Sequence, residues 1–171
     1  VTTDDIENII SPEFKKSGSK VVLLKPEYDE NNLPVASTVK ENFKTVSSLV
    51  RRDKVLAAYT PTYGGVAEAV MKMSFGNNIG FKYADIPQKE LFEYCYGGFI
   101  VELKTNKEIG ITLGETIENP AIIYKENTIK LKELLEIYEG KLESVFPLNI
   151  KQEQKEIPEI KYETTSRIKS S

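Results

Sequence analysis

One stretch near the middle of the chain constrains the fold more than any other. An apolar run over Lys54–Tyr59 has the length of a buried β-strand, and the pair Gly64-Gly65 follows it after a short turn. Beyond the glycines, apolar residues recur at intervals of three and four, which predicts a helix with one buried face: Val66, Ala69, Val70 and Met73. The chain is therefore expected to pass from a strand, through a glycine turn, directly into a helix.

The glycine turn has the chemistry of a phosphate seat. The first N–H groups of a helix have no partners within it, and with the positive end of the helix dipole they attract anions. Glycine lets a ligand approach the backbone and permits positive φ. We predict that Gly64 and Gly65, with the hydroxyls of Thr60 and Thr62, bind a phosphate group. A tight turn without a ligand explains the same residues, and both interpretations stay open.

Composition excludes several classes of protein. The 171 residues, 40% hydrophobic and 29% charged, are typical of one globular domain. A net charge of −3 argues against a nucleic-acid surface, and no apolar run reaches the ~20 residues that span a membrane. Histidine is absent, which excludes Ser-His-Asp and Cys-His catalysis. The single cysteine, Cys95, indicates a reducing cytoplasm. We predict a cytoplasmic protein with no catalytic or metal-binding residues of its own.

The remaining patterns predict strands interleaved with helices. A short helix or turn is expected within residues 2–14, and a long helix is expected to begin with a capping box of Thr38 and Glu41. The helix after the glycines should stop at Gly76-Asn77-Asn78. Further strands are predicted over 21–25, 79–83, 99–104, 109–113 and 121–124, and further helices over 88–94 and 131–140. This order indicates an α/β or α+β domain, with a mixed β-sheet layered with helices.

Several single residues invite a functional interpretation, and for most of them a structural one is simpler. Glu68 and Glu102 lie nearest the two glycine pairs, and each is expected to be a solvated or helix-face carboxylate. Cys95 has no neighbouring cation and is expected to be inert. Four tyrosines either pack in the core or stack on a base, and packing is the commoner outcome: Tyr59, Tyr63, Tyr94 and Tyr96. The apolar residues Leu142, Val145 and Phe146 are expected to fold back onto the core.

Several stretches together resemble a known superfamily: GSKVVLLK, LPVASTVKENFKTVSSLV, VLAAYTPTYGGVAEAVMKMSFGNNIGF, ELFEYCYGGFIVEL and IGITLGET. They look like the C-terminal lobe of the aminoimidazole-ribonucleotide-synthetase superfamily. Within it they are most similar to the second such lobe of the phosphoribosylformylglycinamidine synthases, and the likeness runs from about Ile6 to Phe146. The resemblance implies that residues 1–147 form this lobe. It also implies that the polar residues 148–171 are a linker toward a glutamine amidotransferase domain.

The resemblance implies a function for the longer enzyme. That family is an ATP-dependent carbon–nitrogen ligase of purine biosynthesis, which uses Mg and takes its nitrogen from glutamine. Its N-terminal lobes, which supply most nucleotide and magnesium ligands, are not in this chain. Because the chain starts at Val1 without an initiator methionine, we expect a fragment that is inactive alone and binds no ATP or Mg tightly. Its expected partners are the missing N-terminal lobes and the glutaminase domain, and its exposed interlobe face is expected to self-associate.

The glycine loop departs from the family pattern. Family members commonly carry His-Asp-x-Ser-Asp-Gly-Gly, where this chain has Tyr59, Thr60, Pro61, Thr62, Tyr63, Gly64 and Gly65. The glycines and one hydroxyl are kept, but the histidine and both carboxylates are replaced. The loop is therefore expected to lack magnesium chemistry while its backbone can still bind an anion. Two alternatives remain: a non-catalytic scaffold lobe, or a lobe of another ATP-dependent member of the superfamily, such as selenophosphate synthetase or thiamine-phosphate kinase.

Overall fold

The computed structural model describes residues 5–147, with the side chain of Glu7 left aside. A short 3₁₀ turn over Ile6–Asn8 precedes the regular elements. The strands are Lys20–Leu24 (β1), Val55–Tyr59 (β2), Gly80–Tyr83 (β3), Phe99–Leu103 (β4), Ile111–Ile117 (β5), Ala121–Tyr124 (β6) and Asn127–Lys130 (β7). The helices are Ala36–Arg51 (α1), Gly65–Phe75 (α2), Gln88–Phe92 (α3) and Leu131–Gly140 (α4). The predicted linker over 148–171 lies outside the described residues.

The described strands form one sheet in the order β2-β4-β1-β5-β3-β6-β7. Neighbouring strands run antiparallel except β3 and β6, which pair in parallel. Helix α2 packs on one face, and Val66, Ala69, Val70 and Met73 are all buried there, as predicted. Helix α1 covers part of the other face, where Val46 and Val50 pack against buried residues of β1 and β4. The mixed sheet layered with helices is confirmed.

The long helix begins earlier than the capping box predicts, so that prediction is wrong. Helix α1 starts at Ala36 after Val35, and Thr38 lies inside its first turn. The Thr38 hydroxyl donates to the carbonyl oxygen of Val35 at 2.8 Å and accepts the N–H of Glu27 at 3.1 Å. These bonds join the helix to the preceding loop. They use the hydroxyl that a capping box would have aimed at the helix's own N–H groups.

Helix α2 ends at Phe75, so the predicted stop at Gly76-Asn77-Asn78 is confirmed. The turn after α2 reverses at Asn78, with φ of 54°, while Gly76 keeps right-handed helical angles. The strand predicted over 109–113 begins later, at Ile111, and continues to Ile117. A register shift between Val21 and Val22 passes over Leu113, and the pairing with β1 resumes at Gly114. Strand β7 was not predicted, because its four residues are all exposed and carry no apolar alternation.

The expectation that Leu142, Val145 and Phe146 fold back onto the core is wrong. These side chains are 59%, 66% and 72% exposed. Helix α4 makes its contacts with the body of the domain earlier, through the buried Leu131 and the ring contact of Tyr138 with Phe75. The chain has left the core before it reaches these three residues.

Candidate functional site

The loop between β2 and α2 is held against the segment that follows α3. Gly65 adopts a φ of 66°, which residues with a side chain rarely do. A Cβ there would lie 2.6 Å from the carbonyl oxygen of Glu93 and 2.9 Å from that of Leu91. Backbone conformation and close packing therefore both require glycine at this position, and they hold the loop in place.

A carboxylate of the protein itself occupies the predicted phosphate seat. One oxygen of Glu68 accepts the Gly64 N–H at 2.7 Å and the Thr62 hydroxyl at 3.0 Å. The other oxygen lies 2.5 Å from the Lys72 ammonium. The hydrogen bond from Lys72, followed by those from Gly64 and Thr62, holds the pKa of Glu68 below its usual range, and Glu68 raises the pKa of Lys72. The seat thus holds a charged carboxylate with an ammonium behind it.

The four predicted site residues do not all converge. Thr62 and Gly64 meet at Glu68, while the Gly65 N–H donates to the carbonyl oxygen of Thr62 at 3.1 Å. Thr60 lines a separate groove of about 460 Å³ between α1 and β2, beside Tyr59. The N–H groups of both glycines therefore have acceptors within the loop. Phosphate binding stays a prediction, and it requires Glu68 to move.

Sequence reasoning missed the roles of Glu68 and Lys72, although a signal for both was present. Glu68 lies four residues after Gly64, within reach of the loop N–H groups from the first turn of α2. Lys72 follows Glu68 at the i,i+4 spacing that brings side chains together on a helix. No cation lies next to the glycines in the sequence, but the helix brings the Lys72 ammonium next to Glu68 in space.

Three of the four tyrosines form an exposed row that we call the tyrosine ladder: Tyr63, Tyr94 and Tyr96. Their side chains are 76%, 56% and 46% exposed. The rings of Tyr63 and Tyr94 lie 5.7 Å apart, and those of Tyr94 and Tyr96 are stacked at the same distance. The prediction that the four tyrosines pack in the core is therefore wrong for these three. Tyr59 alone among the four packs, partly buried, against the main hydrophobic cluster.

Glu102 is fully buried in β4, so the prediction of a solvated or helix-face carboxylate is wrong for it. Its carboxylate accepts the N–H groups of Lys15 at 2.8 Å and Lys16 at 3.1 Å. Burial raises the pKa of Glu102, and the hydrogen bonds from Lys15, Ser19 and Lys16 offset this only in part. The signal available was a glutamate inside the otherwise apolar run FIVEL.

The remaining chemistry-bearing groups offer no second centre in the part of the chain that the structure describes. Cys95 is buried and its burial raises the pKa of the thiol, in keeping with an inert cysteine. Among residues 5–147 there is no group of three or more histidine, cysteine, aspartate or glutamate side chains that could hold a metal ion. None of the described helices combines the length and the apolar character needed to cross a membrane.

The mixed sheet layered with helices is a fold that known proteins share. Phosphoribosylformylglycinamidine synthase subunit PurL of Picrophilus torridus is 26% identical over 170 positions, covering 81% of this chain and 22% of that protein. The structure of PurLQS from Thermotoga maritima matches with a TM-score of 0.64 at 15% identity, covering 93% of this chain and 32% of that chain. No protein-family model matches the chain.

The same Thermotoga maritima protein matches in two ligand complexes. PurL complexed with FGAR matches with a TM-score of 0.64 at 14% identity, and PurL complexed with ATP with a TM-score of 0.59 at 14% identity. Each covers 75% of this chain, and 30% and 27% of the solved chain respectively. The predicted resemblance to this synthase is confirmed. The structural matches show the fold, and the chain spans about a fifth of the curated relative.

Proposed function

We propose that this chain is one lobe of a phosphoribosylformylglycinamidine synthase, the ATP- and glutamine-dependent ligase of purine biosynthesis. The observation that carries the proposal is the sequence similarity to PurL over 81% of the chain, in a domain with the PurL fold. In this proposal ATP, Mg and the ribonucleotide bind to the complete cytoplasmic enzyme. Most of their ligands come from N-terminal lobes outside this chain, and a glutaminase domain supplies the nitrogen.

Two roles for the glycine loop fit within this function. In the first, the loop binds a phosphate group through the Gly64 N–H and the Thr62 hydroxyl once Glu68 has moved away, without Thr60, which lines the separate groove. In the second, the lobe is a scaffold in which Glu68 permanently replaces the ligand. Glu68 favours the scaffold role, because an incoming phosphate must displace a carboxylate that already has three donors.

The two roles predict different responses to inorganic phosphate. Removing the carboxylate with Glu68→Ala frees the Gly64 N–H, the Thr62 hydroxyl and the Lys72 ammonium for an anion. If the loop is a phosphate seat, the amide NMR signals of Gly64 and Gly65 shift weakly with phosphate in the wild type and strongly in Glu68→Ala. If the loop is only a scaffold that Glu68 keeps closed, the wild type does not respond and only Glu68→Ala, whose donors are freed by the mutation, shifts with phosphate. Sodium chloride at equal ionic strength is the control for screening.

The ligase function is tested by adding this chain to the rest of its synthase. The isolated chain should form no product from the ribonucleotide, ATP and ammonia, because phosphoryl transfer needs metal ions and several donors around the phosphates. A synthase that lacks only this lobe should regain activity when the lobe is supplied as a separate polypeptide. Product formed by the isolated chain, or full activity without the lobe, would refute the proposal.

A further inference from the structure

We propose that the tyrosine ladder is a preformed docking surface for a neighbouring lobe of the same synthase. The inference rests on the proposed function and extends it, because it names the face of this lobe that meets the rest of the enzyme. The occupant we infer is an uncharged polypeptide surface, and the competing occupant is a nucleotide base.

The ladder is held in place before any partner arrives. Glu68 closes the loop that carries Tyr63, and Gly65 packs that loop against the backbone just before Tyr94. Tyr94 and Tyr96 stack with their rings 16° from parallel, and Tyr28 donates a hydrogen bond to the Tyr96 carbonyl oxygen at 3.0 Å. A rigid surface loses little conformational entropy on binding, so more of its contact energy appears as affinity.

The chemistry of the ladder suits a protein partner. Each tyrosine offers an apolar ring and a hydroxyl, and tyrosine is enriched among the residues that dominate protein–protein binding energy. Phe92, at the end of α3, lies two residues before Tyr94 in the chain, and its side chain is 61% exposed. Several large aromatic side chains exposed in one region mark interaction sites more often than isolated ones do.

The charges around the ladder disfavour a nucleotide. A base stacked on the tyrosines would bring phosphates with it, and these need cations nearby. Lys72 is paired with Glu68, on the side of the loop that carries Tyr63. Lys25 and Lys89 both pair with Glu93, which directly precedes Tyr94. The three lysines share two carboxylates, so a phosphate would have to compete with Glu68 and Glu93 for them, whereas an uncharged surface would leave all of these ion pairs intact.

The length of the relatives supports the rest of the synthase as the polypeptide that docks on the ladder. This chain covers 22% of the Picrophilus torridus protein and 32% of the Thermotoga maritima chain in the PurLQS structure. The remainder of such a protein must contact this lobe somewhere, and a lobe taken alone leaves that contact exposed. The ladder is a rigid, uncharged aromatic surface of the kind that such a contact needs.

The test measures binding between this chain and the rest of its synthase, made as a separate polypeptide, by calorimetry. The variant Tyr63→Ser/Tyr94→Ser/Tyr96→Ser should bind about 100-fold more weakly than the wild type. The control Ile137→Ser changes an apolar side chain on α4 that is 72% exposed, and it should bind like the wild type. Circular dichroism and thermal unfolding verify that both variants are folded.

The outcomes separate this inference from the proposed function. Wild-type affinity in the triple variant, an equal loss in the control, or no binding by the wild type overturns the docking surface. ATP provides the competing arm: because the chain has no tryptophan, tyrosine fluorescence reports a stacked base directly. Quenching by ATP that the triple variant abolishes would assign the ladder to a nucleotide and overturn the inference. Tyrosine-dependent binding without ligase activity would instead leave the docking surface standing and contradict the proposed function.

Discussion

Two carboxylates, Glu68 at the glycine loop and Glu102 in the core, accept similar hydrogen bonds, but their pKa values shift in opposite directions. Each accepts backbone N–H groups from a neighbouring segment: Glu68 from Gly64, and Glu102 from Lys15 and Lys16. The pKa of Glu68 is nevertheless lowered, and that of Glu102 is raised. Two things differ: the Lys72 ammonium bonds to Glu68, which also keeps contact with water, whereas Glu102 is fully buried and its desolvation outweighs its hydrogen bonds.

The comparison shows that donor count alone does not decide the charge of a carboxylate. Desolvation penalises the charged form, and two N–H groups do not offset full burial. Glu102 therefore acts as a structural group that fixes the segment around Lys15 and Lys16. Glu68 remains charged, and its bonds to Thr62, Gly64 and Lys72 close the loop.

Glu102→Ala should be the most damaging of these changes. It leaves the partly buried N–H groups of Lys15 and Lys16 without their acceptor, at about 1–3 kcal/mol each. We expect a total loss of about 4 kcal/mol, or about 10 °C in melting temperature. Chemical denaturation measures this loss as a change in the free energy of unfolding. A loss as small as that of Glu68→Ala would remove the distinction between the two sites.

Gly65→Val should destabilise the loop by about 3 kcal/mol. The side chain would be forced into positive φ and against the carbonyl oxygens of Leu91 and Glu93. Gly140→Val is the matched control, because a Cβ there meets nothing within 4 Å. Equal denaturation midpoints for the two variants would show that the loop is not held against the segment after α3.

The pH dependence of stability should differ between wild type and Glu102→Gln. Because the folded pKa of Glu102 is raised above its ordinary value of 4.5, the folded state holds its proton longer than the unfolded state. Its contribution to stability is complete below pH ~4.5 and is lost as the pH rises through the folded pKa. The unfolding free energy of the wild type minus that of Glu102→Gln should therefore fall between pH 4 and 8. A difference that rises with pH would contradict the raised pKa of Glu102 in the folded state.

Glu68→Ala should have the smallest effect, about 1 kcal/mol, because the Glu68–Lys72 pair is partly solvated. Part of the loss should disappear in high salt. Glu136→Ala removes a more exposed pair with Lys132 on α4 and should change stability very little. If Glu68→Ala lost several kcal/mol, Glu68 would belong with Glu102 as a structural carboxylate.

Elements with a strong apolar periodicity were predicted correctly from the sequence. Features that depend on contacts with residues distant in the sequence were not. The buried face of α2 and the mixed sheet followed from apolar spacing alone. The start of α1 depends on the bond of Thr38 to Glu27, eleven residues away, and the burial of Glu102 depends on a segment 86 residues earlier. At the glycine loop, the donors were visible in the sequence. The carboxylate that fills the seat became evident only when α2 brought Glu68 back to Gly64.

The central claim is that Glu68 stays charged in the loop while Glu102 retains its proton longer in the core. Titration of the side-chain carboxyl ¹³C signals by NMR measures both groups in one sample of the wild-type protein. We predict a pKa below 4.5 for Glu68 and above 4.5 for Glu102. The opposite order, or two values that coincide, would contradict it.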